Sequence, residues 1–239
     1  MKGIIVVARR EFASFFRVPA GWIVIALHLA IFGFFFTAIV ARENQAASLA
    51  PIFSFATWLM LPIAPAISMR VLSEEYRTGT FEILMTAPVR DAHVVFGKFL
   101  GAWAFLGALL LPTGVYVAML FALSDPKPDP GPIVAGYLCL MLLGGLYIAL
   151  GTLASSLTNN QTLAFVTTLL LVLTLLLAPL SAARAPDAAK RVIHELALSR
   201  RVGDFAGGVI DTSHVVFFLS AILLLLMTSA AMVHSRRWR

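Results

Sequence analysis

The chain has 239 residues, of which 60% are apolar, while Lys, Arg, Asp and Glu together supply 13%. Soluble domains usually carry about a quarter charged residues, so this composition excludes an ordinary soluble domain and a disordered chain. The net charge of +6 arises at the edges of apolar runs, which is typical of membrane flanks rather than of a nucleic-acid surface, and a single cysteine, Cys139, excludes a disulfide framework.

The first predicted element is an amphipathic helix within residues 1–19. Ile5, Ala8 and Phe12 recur at helical spacing, and charged residues take positions between them. Such a helix lies in the headgroup plane of a membrane. Pro19 ends it, because the residue before a proline is biased away from the helical region.

Six apolar runs follow, and each is long enough to cross a bilayer as a helix. They cover about residues 20–41, 51–69, 99–123, 132–157, 161–180 and 214–234. We therefore predict an all-α membrane protein that forms a single domain over residues 1–239. Residues 70–98 join the second and third spans, and residues 181–213 join the fifth and sixth.

Basic residues predict the orientation. They are frequent in the N-terminal arm, in the 70–98 loop and in the C-terminal tail, so these parts and both termini are expected in the cytoplasm. The 181–213 loop is also basic and departs from this rule. Its apolar residues recur at helical spacing, which predicts a pair of re-entrant or interfacial helices on the outer surface.

The predicted spans contain no Asp, Glu, Lys or Arg, which disfavours a proton-driven transporter. His28 is the one histidine well inside a span, and alone it is more often a helix-packing donor than a proton relay. The Gly97-Lys98 pair lacks the surrounding pattern of a phosphate-binding loop, and the histidines have no metal-ligand spacing. The energy for any transport must therefore come from elsewhere.

Charge is concentrated in the loop between the second and third spans. A short helix starting near Thr80, with Glu82 in its first turn, would end before Pro88 and show Phe81 and Leu84 on one side. Such a helix suits a groove in a soluble partner, or it lies on lipid headgroups; the residues alone leave both readings open.

Several blocks of residues form a recognisable series along nearly the whole chain. They are Arg9-Arg10-Glu11-Phe12, Phe15-Phe16 and Pro19; Pro62, Pro65, Met69-Arg70, Glu74-Glu75, Arg77-Thr78-Gly79-Thr80, Glu82, Leu84, Thr86, Pro88-Val89 and Gly97-Lys98-Phe99; Gly136-Tyr137, Gly144, Gly151 and residues 155–161; and Gly208-Val209-Ile210-Asp211. This series resembles the permease subunit of an ATP-binding-cassette (ABC) transporter of the type-2 exporter class, and most closely its gliding-motility-type branch.

The resemblance implies that residues 1–19 form an elbow helix and that the 74–88 segment carries a coupling helix resting on an ATPase. The implied coupling residues are Glu74, Glu75, Arg77, Gly79, Thr80, Glu82, Leu84 and Pro88, with a second cytoplasmic contact at Ser156, Asn159, Asn160 and Gln161. The simpler alternatives are a solvated acid at the start of a helix for Glu82 and a turn residue for Gly79.

The resemblance also implies a function: a non-catalytic permease subunit in the bacterial cytoplasmic membrane, exporting a substrate. Two copies of a separate ATPase would bind ATP and Mg, while this chain binds no cofactor, metal or nucleic acid directly. The other expected partners are a second permease subunit, identical or related, membrane lipids and an extracytoplasmic accessory protein. The alternative is an ATPase-coupled scaffold or mechanotransmission subunit, serving surface or motility machinery or extracytoplasmic metalloenzyme maturation. The substrate-binding residues are unknown.

Small residues at four-residue spacing predict close helix packing. Gly97 and Gly101 form one such pair, and Gly145 and Ala149 form another. We expect these pairs to pack helices within one subunit.

Overall fold

The structure, a computed structural model, describes residues 2–40, 49–79, 91–181, 186, 190, 195 and 197–236. The helices in chain order are α1 (Lys2–Arg17), α2 (Pro19–Val40), α3 (Ala50–Ser68), α4 (Ser73–Thr78), α5 (Asp91–Leu110), α6 (Gly114–Leu123), α7 (Pro130–Leu157), α8 (Gln161–Ser181), α9 (Leu198–Ala206) and α10 (Thr212–Arg236). No strand occurs within the described residues, so the prediction of an all-α fold is confirmed.

Six segments are long and apolar enough to cross a membrane, which confirms the predicted number of spans. They are Pro19–Ala38, Ala50–Thr78, Asp91–Leu123, Pro130–Leu157, Gln161–Leu180 and Thr212–Ser235.

The third span begins at Asp91, whereas the apolar run in the sequence starts near residue 99. Asp91 lies in the first turn of α5, where the helix dipole favours an acid. Lys98 does not interrupt the helix, because its ammonium group is paired with carboxylates on other helices. Further along the span, a 3-10 turn at Leu111–Thr113 separates α5 from α6. It contains Pro112, which cannot donate a helical hydrogen bond.

Helix α7 is the centre of the bundle. Some 78% of its most apolar window is buried within the chain, against 22% for the first and sixth spans and 17% for the fifth. Glycines allow its neighbours to approach closely: a Cβ on Gly136 would overlap the Phe53 ring, and one on Gly144 would overlap Leu106. The weakly buried spans are therefore the ones left to face lipid or another chain.

The Gly97 and Gly101 pair holds α1 against α5. A Cβ on Gly97 would lie 2.9 Å from the Ile4 carbonyl oxygen, and one on Gly101 would lie 2.7 Å from the Ala8 carbonyl oxygen. Ile5, which the sequence places on the apolar stripe, is 66% exposed instead. It remains free to contact lipid, while the neighbouring face of α1 packs on the span.

The short helix α9 lies at the opposite end of the bundle from α1. Gly208, just after α9, sits against Pro132 at the start of α7, whereas Ser155 near the end of α7 contacts the start of α4. Because α7 has 28 residues, these two ends are about 40 Å apart. One member of the expected outer helical pair is thus described; most of the residues before it lie outside the described part.

Candidate functional site

The first candidate segment contains α4, which spans Ser73–Thr78 and carries Glu74, Glu75 and Arg77. The residue after this helix is Gly79, whose φ of 71° lies in the left-handed region that favours glycine. Thr80, Glu82, Leu84 and Pro88 lie outside the described residues, so their predicted roles stay predictions.

A buried ion-pair junction links α4 to two other helices. The Lys98 ammonium nitrogen on α5 is 2.9 Å from Glu11 Oε2 on α1 and 3.0 Å from Glu75 Oε1 on α4. The Lys98 residue is 5% exposed. A buried ammonium group is costly unless it is paired, and here both acids supply that pairing. The junction therefore holds three separate helices together through one cation.

The junction contains more acidic than basic side chains. Two carboxylates face one ammonium group, and among the described residues Glu75 Oε2 is buried without a hydrogen-bond partner. This oxygen of Glu75 can therefore still accept a hydrogen bond from a further donor.

Glu74 makes a different, local interaction. Its Oε2 atom is 3.2 Å from Arg70 Nε, one helical turn earlier, and the Arg70 guanidinium also lies 5.9 Å from the centre of the Phe15 ring. The Glu74 side chain is 39% exposed, so this pair contributes little to stability. Arg77 is exposed.

The second candidate segment follows α7. Ser156 is fully buried and donates to the Leu153 carbonyl oxygen at 2.6 Å, within its own helix. Asn159 and Asn160 are exposed, and Asn160 Oδ1 accepts the backbone N–H of Thr162 at 2.9 Å at the start of α8. The exposed asparagines, followed by the half-buried Gln161, are therefore the accessible part of this segment.

The structure brings the two segments together at the α1 end, because α4 contacts both α7 and α8. A cleft of about 400 Å³ opens beside them, between α1, α4 and α5. It is lined by Val7, Arg10, Glu11, Ser14, Arg17, Val18, Arg70, Glu74, Glu75, Thr78 and Lys98. Within the described residues, no group of three or more His, Cys, Asp or Glu side chains could hold a metal ion.

Sequence reasoning did not assign a role to Lys98 or Glu11, and it included Ser155 only as the first residue of the 155–161 block. A signal was present for Lys98: a single basic residue between Gly97 and Phe99 needs a buried acid if the helix packs on that side. Nothing in the sequence identifies which acids provide the pairing, since Glu11 is 87 residues away.

The fold and this site define a class, that of multi-pass helical membrane proteins with a charged cleft at one end of the bundle. The family model described as "ABC-2 family transporter protein" matches residues 42–195, more than half of the chain. The chain therefore belongs to the ABC-2 transporter family, which makes it a permease subunit whose partner is an ABC ATPase. No individual curated protein matches the chain.

Proposed function

We propose that the chain is the permease half of an ABC exporter of the gliding-motility-type branch. Two permease subunits, identical or related, enclose the pathway, and two separate ATPase subunits bind ATP and Mg. The weakly buried first, fifth and sixth spans leave apolar faces for lipid and for the second permease subunit. The spans are mostly apolar, which suits a hydrophobic, lipid-like or peptide-like cargo.

The observation that carries this proposal is the Glu11–Lys98–Glu75 junction. It connects α4, which belongs to the segment expected to receive the ATPase, with α1 and the third span. Separating Lys98 from either acid would leave a buried charge unpaired, so the three helices move as one body. A push on α4 is thereby delivered to a membrane-spanning helix.

The proposed orientation is supported by residues at the same end of the molecule. We place the α1 end in the cytoplasm of a bacterial cell, with both termini on that side of the cytoplasmic membrane. Arg9, Arg10 and Arg17 are exposed on α1, and cytoplasmic flanks are enriched in such residues. Trp22 is 58% exposed and donates to the Phe16 carbonyl oxygen at 3.0 Å, as expected for an aromatic side chain at a membrane interface.

The test is affinity purification of the tagged protein from native membranes in mild detergent, followed by mass spectrometry. Wild type is compared with Arg77→Glu, which reverses an exposed charge on α4. The matched control is Arg200→Glu, which reverses an exposed charge on α9 at the opposite end. Gly79→Pro and Glu82→Arg extend the test along the 74–88 segment.

We expect an ABC ATPase to be recovered with wild type and with Arg200→Glu, and to be reduced at least about tenfold with Arg77→Glu, because like charges at a docking surface repel. Equal recovery of the ATPase with both arginine variants would show that α4 does not contact the ATPase. Absence of any ATPase with wild type would contradict the proposed function.

A further inference from the structure

Helix α4 begins without a cap of its own. The first N–H groups of a helix have no partner inside the helix and need an outside acceptor. The residue before α4 is Leu72, whose apolar side chain cannot accept a hydrogen bond, and no local side chain caps this terminus.

Ser155 on α7 supplies the missing acceptor. Its hydroxyl oxygen accepts the backbone N–H of Leu72 at 3.0 Å and that of Ser73 at 2.8 Å. The same hydroxyl donates to the Met69 carbonyl oxygen at 3.2 Å. A hydroxyl group has one donor and two acceptor sites, so all of them are used. Ser155 is fully buried.

The packing around this contact is close. Gly151 lies one turn before Ser155, and a Cβ there would overlap the Ser68 hydroxyl oxygen at the end of α3. The Ser68 hydroxyl in turn donates to the Ala64 carbonyl oxygen at 2.8 Å. The end of α3, the start of α4 and the end of α7 therefore form one close-packed unit.

We propose that Ser155 is a positioning residue that caps α4 from another helix and thereby joins the two candidate ATPase contacts into one mechanical unit. Ser155 lies two residues before the end of α7, directly ahead of the exposed Asn159 and Asn160. Movement of α4 then reaches the central span α7 through hydrogen bonds as well as through the junction at Lys98. This inference rests on the proposed function.

The experiment compares Ser155→Ala with Ser156→Ala in the full complex with its ATPase. The control is closely matched, because Ser156 is equally buried but, among the described residues, its hydroxyl bonds only within α7, to the Leu153 carbonyl oxygen. Hydrogen exchange followed by mass spectrometry reports on the peptide containing Leu72 and Ser73. The rate of ATP hydrolysis is measured in the same preparations, together with the amount of bound ATPase.

We expect Ser155→Ala to speed exchange of the 70–78 peptide about fivefold to tenfold, the effect of losing a helix cap. Exchange of the α9 peptide, at the opposite end, should not change. The bound ATPase should stay at the wild-type level while its permease-dependent hydrolysis rate falls about tenfold. Ser156→Ala should match wild type in all three measurements. A variant that only destabilised the fold would lower the amount of bound ATPase. The proposed role instead lowers the rate of ATP hydrolysis and leaves the amount of bound ATPase unchanged.

Unchanged exchange at 70–78 in Ser155→Ala would overturn the proposal even if the ATPase remains bound. Absence of an ATPase from wild type would instead contradict the proposed function. If Ser155→Ala fails to accumulate, Ser155→Cys decides the matter, since it keeps the shape but offers only a weak acceptor. Exchange in Ser155→Cys equal to wild type would then overturn the proposal.

Discussion

The two ends of the bundle are both built around a buried basic residue, but they are assembled differently. At the α1 end, Lys98 bonds Glu11 across 87 residues and also bonds Glu75, so it joins three helices. At the α9 end, Arg201 bonds His214 across 13 residues, and His214 bonds Asp204 across 10. The first cluster fixes separate helices relative to one another, whereas the second folds one short stretch of chain upon itself.

The α9 cluster joins α9 to the start of α10. Arg201 donates to His214 Nδ1 at 2.8 Å and to the Glu195 carbonyl oxygen at 2.8 Å, and its guanidinium lies 3.8 Å from the centre of the Phe217 ring. An arginine always donates, so His214 Nδ1 must accept, which leaves Nε2–H to donate to Asp204 at 2.8 Å. The bonds at this end therefore hold a local shape, whereas those at the α1 end connect three helices.

Removing the cation at Lys98 should have the largest effect. In Lys98→Met, Glu11 and Glu75 are left facing each other without a partner, which should cost about 3–5 kcal/mol of stability. Thermal unfolding in detergent and the yield of folded protein measure this loss. The control is Lys127→Met, because Lys127 is exposed.

The same junction allows a rescue. Adding Glu11→Gln and Glu75→Gln to Lys98→Met removes the unpaired charges, so the triple variant should recover most of the lost stability. If Lys98→Met behaves like Lys127→Met, the junction does not hold the α1 end together.

The second largest loss of stability is expected from Arg201→Gln, at the opposite end of the bundle. Hydrogen bonds from a charged donor contribute about 1.5–3 kcal/mol, and this variant loses them at His214 and Glu195. We expect faster hydrogen exchange confined to the 198–206 peptide and unchanged recovery of the ATPase. Arg200→Gln, on the exposed side of α9, is the control. Loss of the ATPase in Arg201→Gln would mean that the two ends are not independent.

A smaller loss of stability is expected from Gly101→Ala, which tests whether α1 depends on its close packing against α5. The new methyl group would lie 2.7 Å from the Ala8 carbonyl oxygen, so α1 must shift at a cost of about 1–3 kcal/mol. Trypsin should then cleave faster at Arg9 and Arg10. Gly107→Ala in the same helix is the control, because its methyl group would meet Met141 at an ordinary 3.7 Å. Equal cleavage in the two variants would show that α1 does not depend on this close approach.

The smallest effect should be that of Arg70→Ala. The Arg70–Glu74 pair is partly exposed and spans one helical turn, so its loss should cost less than about 0.5 kcal/mol. Thermal unfolding in detergent measures it against wild type. If Arg70→Ala lost as much stability as Lys98→Met, the α1 end would be stabilised by its surface ion pairs as much as by the buried junction.

The sequence by itself determined the fold class, the number of spans and the existence of a helix before the first span. These properties follow from composition and short-range periodicity, because a bilayer demands long apolar helices and a headgroup surface favours amphipathic ones. The family resemblance predicted that the 74–88 and 156–161 segments contact an ATPase, which stays a prediction, and it did not identify how these segments are held. Only the tertiary structure decided that Glu11 and Glu75 share Lys98, that Gly97 and Gly101 seat α1, and that Ser155 caps α4. Each of these contacts joins residues far apart in the chain, and helix periodicity carries no information about which distant residue will fill such a position.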